Sequence, residues 1–270
     1  MSHLRRACLP LAALVICSMA PPAQAGQSLH LRASLTPNRF SEETTIGFDF
    51  TVTAPAGQVP SPLTAVALRY PGDVGIVVSG LGLDACPSAT LHLLGPAGCP
   101  ADARMGTGTA TVEIPVGQSV VRENAAVTIL RAETRDERFA LTFFAEGSSP
   151  IVAQLSLPAL LLSAHSPFGG SVAIEPPLVP SLPEAPNVSV VRLHAAIGPE
   201  HLTYYHRRHG KLVGYRPRGV RLPGTCPRGG WPFTAAVSFF DGTRAQARAT
   251  VPCPRVRASR QHRRLTRAGG

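Results

Sequence analysis

Four of the six cysteines in this 270-residue chain are each followed by proline. The four dipeptides are Cys86-Pro87, Cys99-Pro100, Cys226-Pro227 and Cys253-Pro254. Proline disfavours the α region for the residue before it, and it favours extended or turn backbone there. Each of these cysteines is therefore expected on a strand or a turn and not inside a helix.

The first 25 residues have the parts of a cleavable signal peptide. Two arginines precede an apolar stretch over 7–20, and Ala23-Gln24-Ala25 matches the small-x-small cleavage rule. We predict a mature chain that starts at Gly26 and is exported to the cell surface or the extracellular space. The alternative is a retained membrane anchor, but the apolar stretch is short for a membrane-spanning helix. No later segment is predicted to span a membrane.

Four cysteines in an exported chain indicate two disulfides. Three connectivities are possible, and pairing of neighbours is the simplest: Cys86 with Cys99, and Cys226 with Cys253. A hairpin predicted between Cys226 and Cys253 agrees with that pairing. A zinc site is the rival interpretation, but the chain has no C-x-x-C spacing. We expect no metal and no cofactor.

Apolar and polar residues alternate with a period of two along most of the chain. Over 45–54, the side chains of Ile46, Phe48, Phe50 and Val52 share one face, which predicts a half-buried strand. The charged turn 134–137 and the Asp241-Gly242 turn each predict a hairpin. Further strands are expected over 29–35, 63–70, 109–114, 125–132, 139–145, 151–157, 171–174, 188–197, 233–239 and 244–251, with a pair around residue 209.

This pattern predicts an all-β protein, an antiparallel β-sandwich with one large lobe or two closely packed lobes. The β-sandwich region is 26–254, and the two-lobe division is 26–174 and 187–254. Between them, 175–186 has a proline at every third position, the repeat of a polyproline II helix. We expect this segment to be a crossover that docks an apolar stripe on a sheet. The stripe consists of Val179, Leu182 and Ala185.

The formal net charge of +10 is concentrated at the two ends of the chain. Removing the two leader arginines and the six arginines of 255–270 leaves +2 for the residues between. The tail 255–270 contains no acid, and we predict that it is disordered. Its predicted partners are anionic cell-wall polymers or lipid headgroups, and no specific nucleic acid is expected.

The most unusual local cluster is the His-, Tyr- and Arg-rich segment 201–211. We predict two strands joined by a turn at 207–210. A solvated hairpin tip is the interpretation that we favour. If the cluster binds anything, it suits an anion or a surface polymer better than a metal, because its cations oppose a metal ion. An exposed, coplanar pair of Tyr204 and Tyr215 would mark a ligand-binding module. The candidate binding residues are Tyr204, His206, Arg207, Arg208, His209, Lys211 and Tyr215.

Catalytic signatures are incomplete. Val77 stands where a nucleophile elbow around Ser79 needs glycine, and Gly106-Thr107-Gly108 lacks the third glycine of a dinucleotide fingerprint. We therefore favour a non-enzymatic exported or cell-envelope protein that makes structural or adhesive contacts. A secreted hydrolase is one alternative, with a site of strand-end carboxylates or of His165 converging with Ser166 or Ser163 in a cleft. A module that binds a ligand through the Tyr204–Tyr215 hairpin is another.

Three segments resemble a group of uncharacterised exported β-sandwich proteins of actinobacterial type with Cys-Pro motifs. Residues 99–110 are similar to the phrase C-P-x-x-S-x-I-G-x-G-x-A, with Ala103 and Met105 in place of the usual serine and isoleucine. Residues 216–220 and 226–233 resemble C-terminal segments of that group. The resemblance implies export and β structure, and it implies no activity and no functional residue.

Overall fold

The computed structural model describes residues 26–149, 152–180 and 187–255. The predicted leader, Leu182 and Ala185 of the predicted apolar stripe, and the tail after Arg255 lie outside these residues. Among the described residues, no helix is long and apolar enough to cross a membrane.

Fourteen strands, one short α-helix, α1 (Ser88–Leu94), and two 3-10 helices, Gly95–Gly98 and Ala101–Ala103, make up the regular structure of the described chain. The strands are β1 (Ser28–Thr36), β2 (Glu43–Thr53), β3 (Leu63–Pro71), β4 (Arg104–Val116), β5 (Ser119–Arg131), β6 (Ala140–Gly147), β7 (Ala153–Ser163), β8 (Phe168–Ile174), β9 (Ser189–Ile197), β10 (Tyr204–Arg208), β11 (Lys211–Tyr215), β12 (Val220–Arg221), β13 (Trp231–Phe239) and β14 (Arg244–Val251). The predicted all-β, antiparallel fold class is confirmed.

Twelve strands form one antiparallel sheet in the order β1-β2-β9-β4-β5-β6-β7-β8-β3-β13-β14, with β12 paired to β2. Strands β10 and β11 form a separate two-stranded sheet. The outermost strands of the order, β1 and β14, lie side by side. The side-chain amide of Gln27, just before β1, donates hydrogen bonds to the side chains of Asp241 and Thr243, just before β14. The sheet is therefore nearly closed.

The inner face of this sheet encloses one large apolar core. The alternation predicted for β2 is confirmed, because Ile46, Phe48, Phe50 and Val52 are all buried. The ring of Phe48 meets the ring of Phe233 edge to face across the core, with centroids 5.8 Å apart. Burial of such aromatic and aliphatic side chains is the main favourable term in folding.

Two glycines let β4 approach β9 closely. A Cβ atom added to Gly106 would collide with the carbonyl oxygen of Ala196, and one added to Gly108 would collide with that of His194. Glycine inside a strand commonly marks such a close backbone approach. The Gly106-Thr107-Gly108 motif therefore has a packing role in the sheet.

Both predicted disulfides are confirmed: Cys86 pairs with Cys99, and Cys226 pairs with Cys253. Cys99 has extended backbone, with φ −79° and ψ 153°, as the following proline requires. The Cys86–Cys99 bridge belongs to a small apolar cluster, separate from the main core. Its other members are Leu91, Ala103, Leu130 and Phe144.

The predicted hairpin turns are also present. In the β5–β6 hairpin, Asp136 and Glu137 adopt positive φ of 50° and 60° between the bridged pair Arg135 and Arg138. One feature differs from the sequence-based expectation. The strand predicted over 151–157 was expected to end before Pro158, but β7 continues through this proline to Ser163.

Candidate functional site

The β10–β11 hairpin holds the candidate binding residues on two short, tightly joined strands. Arg208 pairs with Lys211, and the two residues between them, His209 and Gly210, both have positive φ, 49° and 77°. Two central residues with positive φ define a type I′ turn, whose twist matches that of the flanking strands. The turn predicted at 207–210 therefore closes at His209-Gly210.

The hairpin tip is cationic and carries no neighbouring acid. Arg207, Arg208 and Lys211 are exposed. Within the described chain, none of the three forms an ion pair. The sequence contributes to this isolation, because no aspartate or glutamate occurs between Glu200 and Asp241. The three charges therefore face solvent without local compensation.

Exposed apolar side chains lie beside one of these charges, that of Arg207. The strand register places Tyr205, Arg207 and Leu212 on the same face of the hairpin. Tyr205 is 55% exposed and Leu212 is 65% exposed. The exposure of both side chains leaves this face open to a partner. In the described sheets no strand pairs with the outer edges of β10 and β11 either.

The root of the hairpin is anchored in the core by Tyr204, which is fully buried. Its hydroxyl donates a hydrogen bond to the carbonyl oxygen of Arg104 and accepts one from the Gly82 amide at 3.0 Å. Burial raises the pKa of Tyr204 to about 12, and the nearby Asp102 and Tyr215 add to that rise. Tyr204 is therefore an anchoring residue that solvent does not reach.

The rings of Tyr204 and Tyr215 are not the exposed, coplanar pair that would mark a stacking site. They are nearly perpendicular, at 88°. The His206 ring packs against the Tyr215 ring, with their centroids 5.2 Å apart. The aromatic residues at the root therefore hold the hairpin in place, and the outward-facing residues remain for binding.

The predicted hydrolase residues lie at neighbouring positions but are not joined by hydrogen bonds in the described structure. Ser163, His165 and Ser166 are exposed around the β7–β8 turn, and no hydrogen bond joins the imidazole to either hydroxyl. The part of the chain that is described also contains no group of three or more His, Cys, Asp or Glu side chains able to hold a metal ion.

Sequence reasoning missed a cavity inside the sheet. It has a volume of about 240 Å³ and lies near the junctions of β4 with β5 and of β6 with β7. Its walls are apolar apart from Glu123 and Gln154. A sequence signal existed, because the alternation of β5 continues backwards from Val127 through Ala125 and places Glu123 on the inner face.

No family model, no curated protein and no solved structure matches this chain at a significant level.

Proposed function

We propose that this is an exported, non-enzymatic protein of the cell envelope or the extracellular space, and that it adheres to anionic envelope polymers through the β10–β11 hairpin. The observation that carries the proposal is the exposed, uncompensated charge of Arg207, Arg208 and Lys211 on a hairpin held by a type I′ turn.

Electrostatic attraction is the physical basis. Each basic residue close to an anionic surface contributes about 1 kcal/mol. Three such residues on one rigid hairpin lose less conformational entropy on binding than three on a free chain. The exposed ring of Tyr205 and the exposed side chain of Leu212 add apolar contact beside Arg207, on the face of the hairpin opposite Arg208 and Lys211. In this proposal the basic tail 255–270 strengthens the same attraction, and the resemblance to exported β proteins supports the location.

The test is retention of the purified mature protein on an isolated anionic wall polymer at increasing salt. A triple variant in which Arg207, Arg208 and Lys211 are all changed to glutamine should bind more weakly at low salt by up to about a hundredfold, at about 1 kcal/mol per charge. The matched control replaces three exposed arginines of the large sheet, Arg32, Arg244 and Arg248, with glutamine.

The control removes the same net charge from another surface. Equal losses in the two triple variants would show that only overall charge matters, and that result would contradict the hairpin site. A chain ending at Pro254 separates the contribution of the tail. If the protein were retained on anionic vesicles but not on the wall polymer, the partner would be a lipid surface, and the polymer proposal would be wrong.

Export has its own test. N-terminal sequencing of the protein from the medium or the envelope fraction should find Gly26 as the first residue. A mature chain that still begins at Met1 would contradict cleavage.

A further inference from the structure

The cavity on the inner face of the sheet, which is partly open to solvent, combines an apolar wall with one ionisable group. Phe50, Val66, Val127, Phe143 and Leu157 contribute to the wall, and the segment after β8 closes part of it with Pro176 and Pro177. Its volume of about 240 Å³ exceeds the cavity of about 150 Å³ that stays dry and binds a small apolar molecule in a well-packed protein. An apolar space of this size suits an apolar ligand better than water.

Among the described residues that line the cavity, Glu123 is the only one with an ionisable side chain. The residue is 4% exposed, and its Oε1 atom has no hydrogen-bond partner in the described structure. The register pairs it with Val112, so it lies on the inner face with Ala125 and Val127. The adjacent Arg122 does not compensate it, because that guanidinium pairs with Glu113 on the outer face.

A carboxylate in such surroundings lacks the interactions that it has in water. Burial of an ionised carboxylate is strongly unfavourable unless a cation or hydrogen-bond donors face it. Of the wall residues that the structure describes, only Gln154 carries a side-chain donor, and that amide donates to Glu146 at 3.1 Å. A ligand that brings its own positive charge and donors would satisfy Glu123.

We propose that the cavity is a binding site for an amphiphile with a short apolar chain and an ammonium head, and that Glu123 recognises the head. The chain lies against the apolar wall, which contributes through burial of its surface. The ammonium donates to the unpartnered carboxylate oxygen, a charge-assisted hydrogen bond. An anionic amphiphile would place two like charges together, so the site discriminates against fatty acids.

This site is independent of the hairpin. Glu123 pairs with Val112 near the end of β4, whereas Tyr204 contacts Arg104 at its start. The two sites therefore lie toward opposite ends of the sheet, and the glutamine variant at Arg207, Arg208 and Lys211 should bind the amphiphile as the natural protein does.

Calorimetric titration with decylamine, decanol and decanoate, below their micelle concentrations and at neutral pH, tests the head-group preference. These probes share a chain length and differ in the charge of the head. Decylamine should bind at least about tenfold more tightly than decanoate. Glu123→Gln should remove most of that preference, whereas the control Glu113→Gln on the outer face should keep it.

A pair of filling variants tests the location. Ala125 points inward and Ala126 points outward on the same strand. Ala125→Leu should abolish binding of all three probes, and Ala126→Leu should not change it. If Ala125→Leu does not fold, Ala145→Leu fills the same cavity from β6.

Melting curves accompany each variant. Glu123→Gln should melt at the same temperature as the natural protein or higher, because it removes a buried, unpartnered charge. Absence of decylamine binding, a preference for decanoate, or binding that survives both Glu123→Gln and the filling variants would overturn the proposal.

Discussion

The ring of Tyr204 meets the ring of Tyr215 edge to face, with their centroids 6.0 Å apart. This contact joins the first residue of β10 to the last residue of β11 at the root of the hairpin. Since Tyr204 also bonds to Arg104 and Gly82, the root is tied to the core while the tip extends into solvent. The hairpin therefore combines a rigid base with an accessible cationic end.

Removal of the Tyr204 hydroxyl should destabilise the fold. Tyr204→Phe leaves the buried Gly82 amide and the Arg104 carbonyl without this partner, so the free energy of unfolding should fall by about 1–3 kcal/mol. Chemical denaturation measures the change. The control, Tyr205→Phe, alters an exposed neighbour and should change stability by less than about 0.5 kcal/mol. Equal stability of Tyr204→Phe and the natural protein would contradict the anchoring role.

The same hydroxyl makes stability depend on alkaline pH. The pKa of Tyr204 is raised from 10.0 to about 12, chiefly by burial. Because the folded state holds this proton more tightly, the contribution is complete below pH 10 and is lost as pH rises from 10 towards about 12. The stability difference between the natural protein and Tyr204→Phe should therefore shrink over that interval. Denaturation at successive pH values measures it, and a difference that grows with pH would contradict the shift.

The Cys226–Cys253 bridge closes a loop of 27 residues that contains β13 and β14. Cys226 lies shortly before β13, and Cys253 lies shortly after β14. In the entropic model a loop of this length restricts the unfolded chain by about 3.5 kcal/mol. Replacing both cysteines with alanine should lower the free energy of unfolding by about that amount. A single Cys226→Ala variant, compared under oxidising and reducing conditions, checks for effects of the free thiol. Non-reducing peptide mapping should find this pair and Cys86–Cys99.

Even the small substitution Gly108→Ala should destabilise the fold. The added Cβ atom would collide with the His194 carbonyl oxygen, so β4 and β9 would have to separate. We expect Gly108→Ala to cost more than about 1 kcal/mol and Thr107→Ala, on the exposed side of the same strand, to cost less than about 0.5 kcal/mol. Thermal denaturation of both variants measures the difference. If Gly108→Ala were neutral, the close approach of the two strands would be wrong.

The turn of the hairpin should affect binding more than global stability. Gly210 has φ of +77° with open space around it, so Gly210→Ala introduces backbone strain without a clash. We expect faster hydrogen exchange in β10 and β11, weaker retention on anionic polymer, and a nearly unchanged melting temperature. His209→Asn, a residue that tolerates positive φ, should preserve both exchange and retention. A large fall in melting temperature would show that the hairpin supports the main core.

Features that depend on neighbouring residues were predictable from the sequence. Period-two alternation indicated the strands, Asp241-Gly242 indicated the β13–β14 turn, and the Cys-Pro dipeptides indicated extended cysteines with local disulfides. The reason is that pleat, turn geometry and loop closure are governed by residues close together along the chain. The end of β7 is an exception, because the strand was predicted to stop before Pro158. A proline can lie within a strand where its missing N–H is not needed for pairing.

The sequence by itself determined that this chain is a disulfide-bonded antiparallel β protein with a cationic hairpin around residue 209. Tertiary structure alone decided the strand order, with β9 between β2 and β4, and with it which side chains face the interior. It buried Tyr204 against Arg104, 100 residues away in the chain, and enclosed Glu123 in an apolar cavity. Alternation assigns a side chain to one of two faces, but only the closure of the sheet decides which face loses its water and what lies opposite.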